Sequence, residues 1–180
     1  FGEPRRIGST WRHTNAGNVI VYKRDSTNSK GWVKLGEEIN GRAKNERTGT
    51  SVALNQDGTR IIIGGVNDNK SGHVRVYDWN GSSWTQVGGD IDGVWAYNYF
   101  GRSVAISDNG SRIAIGNGSN SGRVRVYDWD GSSWNIVIGY IDGVNDGDQS
   151  GWSVTMNSDG TIIAIGAPYN DGNDNTDSDR

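Results

Sequence analysis

The sequence contains no cysteine, one methionine, two prolines, two phenylalanines and two histidines among its 180 residues. The missing cysteines exclude a disulfide framework and thiolate metal or redox chemistry. His13 and His73 are the only groups that titrate near neutrality. They compose neither a metal-ligand pair nor a Ser-His-Asp order, and neither recurs in the repeats, so both read as ordinary surface histidines. No apolar run approaches the roughly 20 residues of a membrane helix. The opening Phe-Gly-Glu-Pro-Arg-Arg also lacks the apolar stretch of a signal peptide. Lysine and arginine are scattered, the formal charge is -3 and the isoelectric point about 5.3. No basic patch is available to a phosphate backbone, so nucleic acid and membrane insertion are not expected partners.

What is abundant is glycine, 28 residues, with 8 Trp and 7 Tyr. Residues of low helix propensity dominate, which favours an all-β chain. The organising feature is self-similarity. GTSVALNQDGTRIIIGG from Gly49 returns as GRSVAISDNGSRIAIGN from Gly101 and GWSVTMNSDGTIIAIGA from Gly151. SGHVRVYDWNGSSWTQVGGDIDG, ending at Gly93, returns as SGRVRVYDWDGSSWNIVIGYIDG, ending at Gly143. A diverged copy ends at Gly41, with three extra residues between Tyr22 and Trp32 that belong in a hairpin tip.

Within a repeat, Val52 and Leu54 alternate with small or polar neighbours, and Asp57-Gly58 turns the chain into the buried run Ile61-Ile62-Ile63. Val74 and Val76 mark a third strand, and Asn80-Gly81 turns into a fourth that holds Trp84. These dipeptides suit left-handed hairpin turns. Four antiparallel strands in about 50 residues are the arithmetic of a β-propeller blade, whose faces are covered by neighbouring blades. A stacked β-solenoid has shorter rungs and needs no pair of tight hairpins. The expected division is a partial blade over 1–41, blades over 42–93 and 94–143, and a partial blade over 144–180. That makes a partial propeller, completed by further blades of a longer chain or by other protein subunits.

Phe100-Gly101-Arg102-Ser103-Val104-Ala105, followed by Ile115-Gly116, and Gly166-Ala167-Pro168 in the next repeat resemble the FG-GAP repeats of integrin α-subunit propellers and their surface relatives. Val-Tyr-Asp-Trp at 76–79 and 126–129 is the weaker likeness to WD repeats. The FG-GAP resemblance implies a non-enzymatic, extracellular or cell-surface module for adhesion, protein interaction or assembly. It also implies calcium in the hairpin between strands one and two, but Asn55 to Arg60 offers one acid, Asp57, where a calcium cage needs six to eight oxygens. That site is expected to be missing.

Other candidates come from the residues themselves. Asp142, Asn145, Asp146 and Asp148 fall within seven residues, and Asp171, Asp174, Asp177 and Asp179 crowd the far end. Such loops can curl round calcium or simply turn. The repeated Trp84, Trp134, Trp79 and Trp129, with Trp32, read as packing between blades. Trp95, Tyr97 and Tyr99 interrupt the repeat and are candidate contacts for a partner protein or for stacked glycans in a lectin-like alternative. Asn69, Asn80, Asn109 and Asn117 are glycosylation sequons, close to the number expected by chance. No catalytic residue is assigned, and an enzyme would need an acid or base from blades outside this sequence.

Overall fold

The computed structural model describes residues 15–66 and 71–172, all strand, turn and loop, with no helix among them. The first blade holds β1 (Asn18–Val19), β2 (Tyr22–Arg24), β3 (Trp32–Lys34) and β4 (Ile39–Asn40), with β1 paired to β4 and β2 to β3. The residues extra to this repeat fall in the β2–β3 tip, beyond the Arg24–Trp32 pair.

The second blade is β5 (Thr48–Leu54), β6 (Arg60–Gly65), β7 (His73–Trp79) and β8 (Trp84–Gln86), antiparallel in that order, with β9 (Ile91–Asp92) also on β7. The third is the four-stranded sheet β10 (Ser103–Ile106), β11 (Arg112–Gly116), β12 (Arg123–Trp129) and β13 (Trp134–Asp142). β14 (Ser153–Met156) and β15 (Ile163–Gly166) begin a fourth. Where the second blade breaks its outer strand at Val87-Gly88-Gly89, the third runs on through Val137 and Ile138, and two bulges opposite β12 absorb the register.

The inner strands β6, β7, β11 and β12 are buried on both faces, so the core lies in the seams between blades. Val19, Val21 and Ile39 meet Ile61, Ile63 and Tyr77 in the first seam. Ile62, Val74 and Val76 meet Phe100, Val104, Ile113, Ile115 and Tyr127 in the second. Ala105, Ala114, Val124 and Val126 meet residues of β14 and β15 in the third. Phe100 of the FG pair is therefore core. Gly101 has φ +88, and a Cβ there would lie 2.6 Å from the His73 carbonyl oxygen, so only glycine fits.

Polar ties repeat across the same seams. The Ser51 hydroxyl donates to the Gly101 carbonyl and that of Ser103 to Gly151, both at 2.7 Å. Arg60 holds Asp78 through two nitrogens and reaches the Gly110 carbonyl of the next blade; Arg112 does the same with Asp128 and Gly160. The tryptophans pack as the repeat implies. Trp79 and Trp84 form a cross-strand pair at 5.4 Å, and the Trp84 indole donates to the Leu35 carbonyl of the preceding blade. Trp129 and Trp134 repeat this against Val87.

One turn expectation changes. In the Asp57-Gly58 hairpin only the glycine is left-handed (φ +70), whereas a two-residue I′ turn needs both. Asp57 instead accepts from the Thr59 hydroxyl and backbone N–H, which hold its carboxyl below the ordinary range. These carboxylate caps, repeated at Asp159 with Thr161, serve the turn.

Candidate functional site

The segments joining one blade to the next, 42–47, 94–99 and 144–149, all lie at the end of the sheets where β7 and β12 begin. Each brings its fifth residue, Glu46, Asn98 or Asp148, toward the top of a seam. The backbone is fixed by left-handed residues at matching places: Asn45 and Arg47, Tyr97 and Tyr99, Gly147 and Gln149. Tyr97 and Tyr99 are thus positions of a shared loop geometry, whatever their rings contact.

At the first seam the loop delivers a carboxylate into a charged cluster. Glu46 is buried and accepts from the backbone N–H groups of Arg42 and Ala43. Its Oε1 lies 2.5 Å from Arg75 Nη2 and 3.3 Å from His73 Nε2. Arg75 also donates through Nε to Asp90 Oδ2 at 2.8 Å, and Asp90 accepts from the Gln86 amide and faces Arg42 at 3.5 Å. Burial alone would raise the Glu46 pKa, but Arg75 and the two backbone N–H groups outweigh it and hold the carboxyl below its ordinary value. Burial pushes His73 down, the Arg75 charge pushes further, and the surrounding acids oppose without prevailing. The cluster therefore holds a neutral imidazole against an ionised carboxylate. Arg75 Nη1 is buried without a hydrogen-bond partner.

His73 corrects the sequence reading. It is 8% exposed, because it opens β7 opposite Asp92 and its ring packs on Gly65, where a Cβ would meet it at 2.4 Å. His13 lies outside the described residues.

At the second seam the cluster is rebuilt with other side chains. Arg125 takes the place of Arg75, Arg123 that of His73, Asn98 that of Glu46 and Tyr140 that of Asp90. They line, with Trp95 and Phe100, a small, partly open recess of about 10 Å³, room for a single water-sized atom. Trp95 stacks on Tyr140 at 6.0 Å, and Arg123 lies 5.1 Å from the Trp95 ring while pairing with Asp142 at 2.7 Å. Arg125 lies 4.2 Å from the Tyr140 ring and 5.8 Å from Phe100. Of the three candidate contact residues, Trp95 lines the recess, and Tyr97 and Tyr99 do not.

The acidic run does not converge. Asp142 turns to Arg123, Asp148 accepts from the Asn145 N–H and the Asn170 amide, and Asp146 is exposed. Among the described residues no three His, Cys, Asp or Glu side chains are placed to share a metal ion. Asp148 instead ties its loop as Glu46 does. Of the sequons, Asn80 and Asn109 are exposed turn residues, whereas Asn117 is 3% exposed and its side-chain oxygen accepts from the Arg123 N–H. Asn69, Asp174, Asp177 and Asp179 lie outside the described residues.

No protein-family model and no curated protein matches the sequence. Solved structures do match. One is a putative 6-phosphogluconolactonase from Bacteroides fragilis NCTC 9343, with TM-score 0.52 and 13% identity over 84% of this chain and 36% of that one. Another is a putative 6-phosphogluconolactonase from Bacteroides uniformis ATCC 8492, with TM-score 0.56 and 11% identity over 83% of this chain and 41% of that one. The chain spans about two fifths of the length of those structures. At this identity the likeness establishes the fold, an all-β propeller architecture, and that alone.

The matches overturn the FG-GAP assignment, since no family model supports it and the propellers found bear an enzyme's name. With it falls the non-enzymatic adhesion or lectin module, and the exclusion of enzymatic activity. The motif is short and glycine-rich because blade seams need a buried aromatic and a left-handed glycine at Phe100-Gly101, a packing demand that is not an integrin property. The chain is similar in fold to these lactonase-named propellers.

Proposed function

We propose that the propeller face above the first seam is a hydrolytic site for a sugar lactone, with Glu46, His73 and Arg75 as its acid–base apparatus. The observation that carries this reading is a buried, neutral His73 within 3.3 Å of an ionised Glu46, beside an arginine nitrogen, Nη1, that has no partner. Perturbed titratable groups held together in this way are what acid–base catalysis uses. The names of the two matched structures supply the substrate class.

The chemistry follows from the positions. With a proton on Nε2 facing Glu46, His73 Nδ1 is the acceptor. It takes a proton from a water whose oxygen attacks the lactone carbonyl carbon. The carbonyl oxygen gains the negative charge, which the positive charge of the Arg75 guanidinium stabilises. The ring C–O bond then breaks, and the imidazolium returns its proton to the departing alkoxide. Lactone and water give one hydroxy acid.

The test measures hydrolysis of 6-phosphogluconolactone and of glucono-1,5-lactone by the protein at its natural length, against the spontaneous rate. Acceleration lost about 10²–10⁴-fold in His73→Gln, with the fold intact by circular dichroism, is expected for a general base. No acceleration of either lactone, or an undiminished rate in His73→Gln, overturns the reading.

A further inference from the structure

The recess at the second seam contains a buried cation without a counter-ion. Arg125 is 9% exposed and forms no ion pair among the described residues. Its Nη1 donates to the Tyr127 hydroxyl at 3.3 Å, and its Nε has no partner. Aromatic faces at 4.2 and 5.8 Å contribute, but they are weaker than a carboxylate. Arg75, the matching residue of the preceding blade, is held by Glu46 and Asp90. The third blade keeps the arginine and replaces both acids, with Asn98 and Tyr140. It also adds Arg123, whose guanidinium takes the carboxylate of Asp142 for itself. A buried charge of this kind demands an opposite charge or displaces itself to water.

We infer that the recess lined by Trp95, Asn98, Arg123, Arg125 and Tyr140 receives one oxygen of a small oxyanion, the phosphate or carboxylate group of a ligand whose remainder lies at the open rim. The Arg125 guanidinium supplies the unbalanced charge and the Asn98 amide a donor, and Arg123 supplies a second positive charge at the rim. The aromatic walls keep water from screening these charges. The site is separate from the Glu46–His73 cluster, and its occupancy does not depend on any turnover there.

Inorganic phosphate and gluconate are titrated into the protein by calorimetry, with chloride at matched ionic strength as the blank. Phosphate also stabilises proteins by surface exclusion, so the deciding comparison is with two variants. Asn98→Glu supplies Arg125 with the carboxylate that Arg75 has, and Arg125→Met removes the charge. Saturable binding of either anion, weakened roughly tenfold or more in Asn98→Glu and lost in Arg125→Met, is expected. Binding of phosphate alone identifies a phosphate ligand, and binding of gluconate alone a carboxylate. No binding of either anion, or binding unchanged in Asn98→Glu, overturns the inference. Asn98→Glu adds a side chain at a loop position and keeps the test decisive if Arg125→Met fails to fold.

Discussion

The first and second seams are built on the same backbone plan, yet one is electrically closed and the other open. At the first, Arg42 and Arg75 are matched by Glu46 and Asp90. At the second, the corresponding residues are Val94, Arg125, Asn98 and Tyr140. What repeats is the apolar interlock below, the FG-type turn and the serine tie; what varies is the charge at the loop end. A propeller seam thus separates a part that must be conserved in shape from a part free to take up chemistry.

The largest expected effect comes from removing the two arginines in turn. Arg75→Met deprives Glu46 and Asp90 of the guanidinium they share, and breaking a buried pair in this way costs about 3–5 kcal/mol. Arg125→Met strands no carboxylate, only the Tyr127 hydroxyl, so its cost in the absence of ligand should be well under that. Urea denaturation of both variants measures the difference. Equal losses would mean that Arg125 has a counter-ion in solution, and that the two seams are electrically alike.

A graft should move the open state to the first seam. Glu46→Asn with Asp90→Tyr gives Arg75 the surroundings of Arg125. The double variant is expected to lose about 2–4 kcal/mol, because it also strips the acceptor of the Arg42 and Ala43 N–H groups. It should regain part of that loss in phosphate, a response that wild-type Arg75 lacks. Absence of any anion response at the grafted seam would show that the recess shape, with its Trp95 wall, is indispensable.

Acid should also distinguish the seams. His73 has a folded pKa below its ordinary 6.5, so the unfolded chain binds the proton first as pH falls. The stability His73 contributes is complete above that value and declines on acidification until the folded pKa is reached. Glu46 and Asp90 are likewise lowered, from 4.5 and 3.8, and their contribution is present above those values and lost below them. A denaturant-midpoint profile should therefore show a decline starting near pH 6.5 and a steeper one below pH 4.5. His73→Asn should flatten the first step only. A first step that persists in that variant would place the titration elsewhere.

The contrast explains what the sequence disclosed. The period, the strand order and the inter-blade role of Trp84 and Trp134 follow from local patterns repeated about fifty residues apart. Trp95 was visible as a departure from the repeat. The Glu46 cluster was not, because Glu46, His73 and Asp90 meet only when the loop from the first blade crosses to the second and β9 returns to β7. A signal was nonetheless present: Arg75 and Arg125 recur between valines in strands buried on both faces, where an arginine requires a partner. Asking which acid could serve each would have found two for Arg75 and none for Arg125.

The smallest expected effect concerns Trp95, which stands where the first seam has Ala43. Its ring is 48% exposed, and Arg123 beneath it already holds Asp142. Trp95→Ala should therefore cost less than about 1 kcal/mol, the worth of an exposed cation–aromatic contact. Arg123 would lose its seat but keep its charge, and phosphate binding should weaken only a few-fold, far less than in Arg125→Met. If Trp95→Ala abolishes binding as completely as Arg125→Met, the aromatic wall creates the site and the seams differ in shape before they differ in charge.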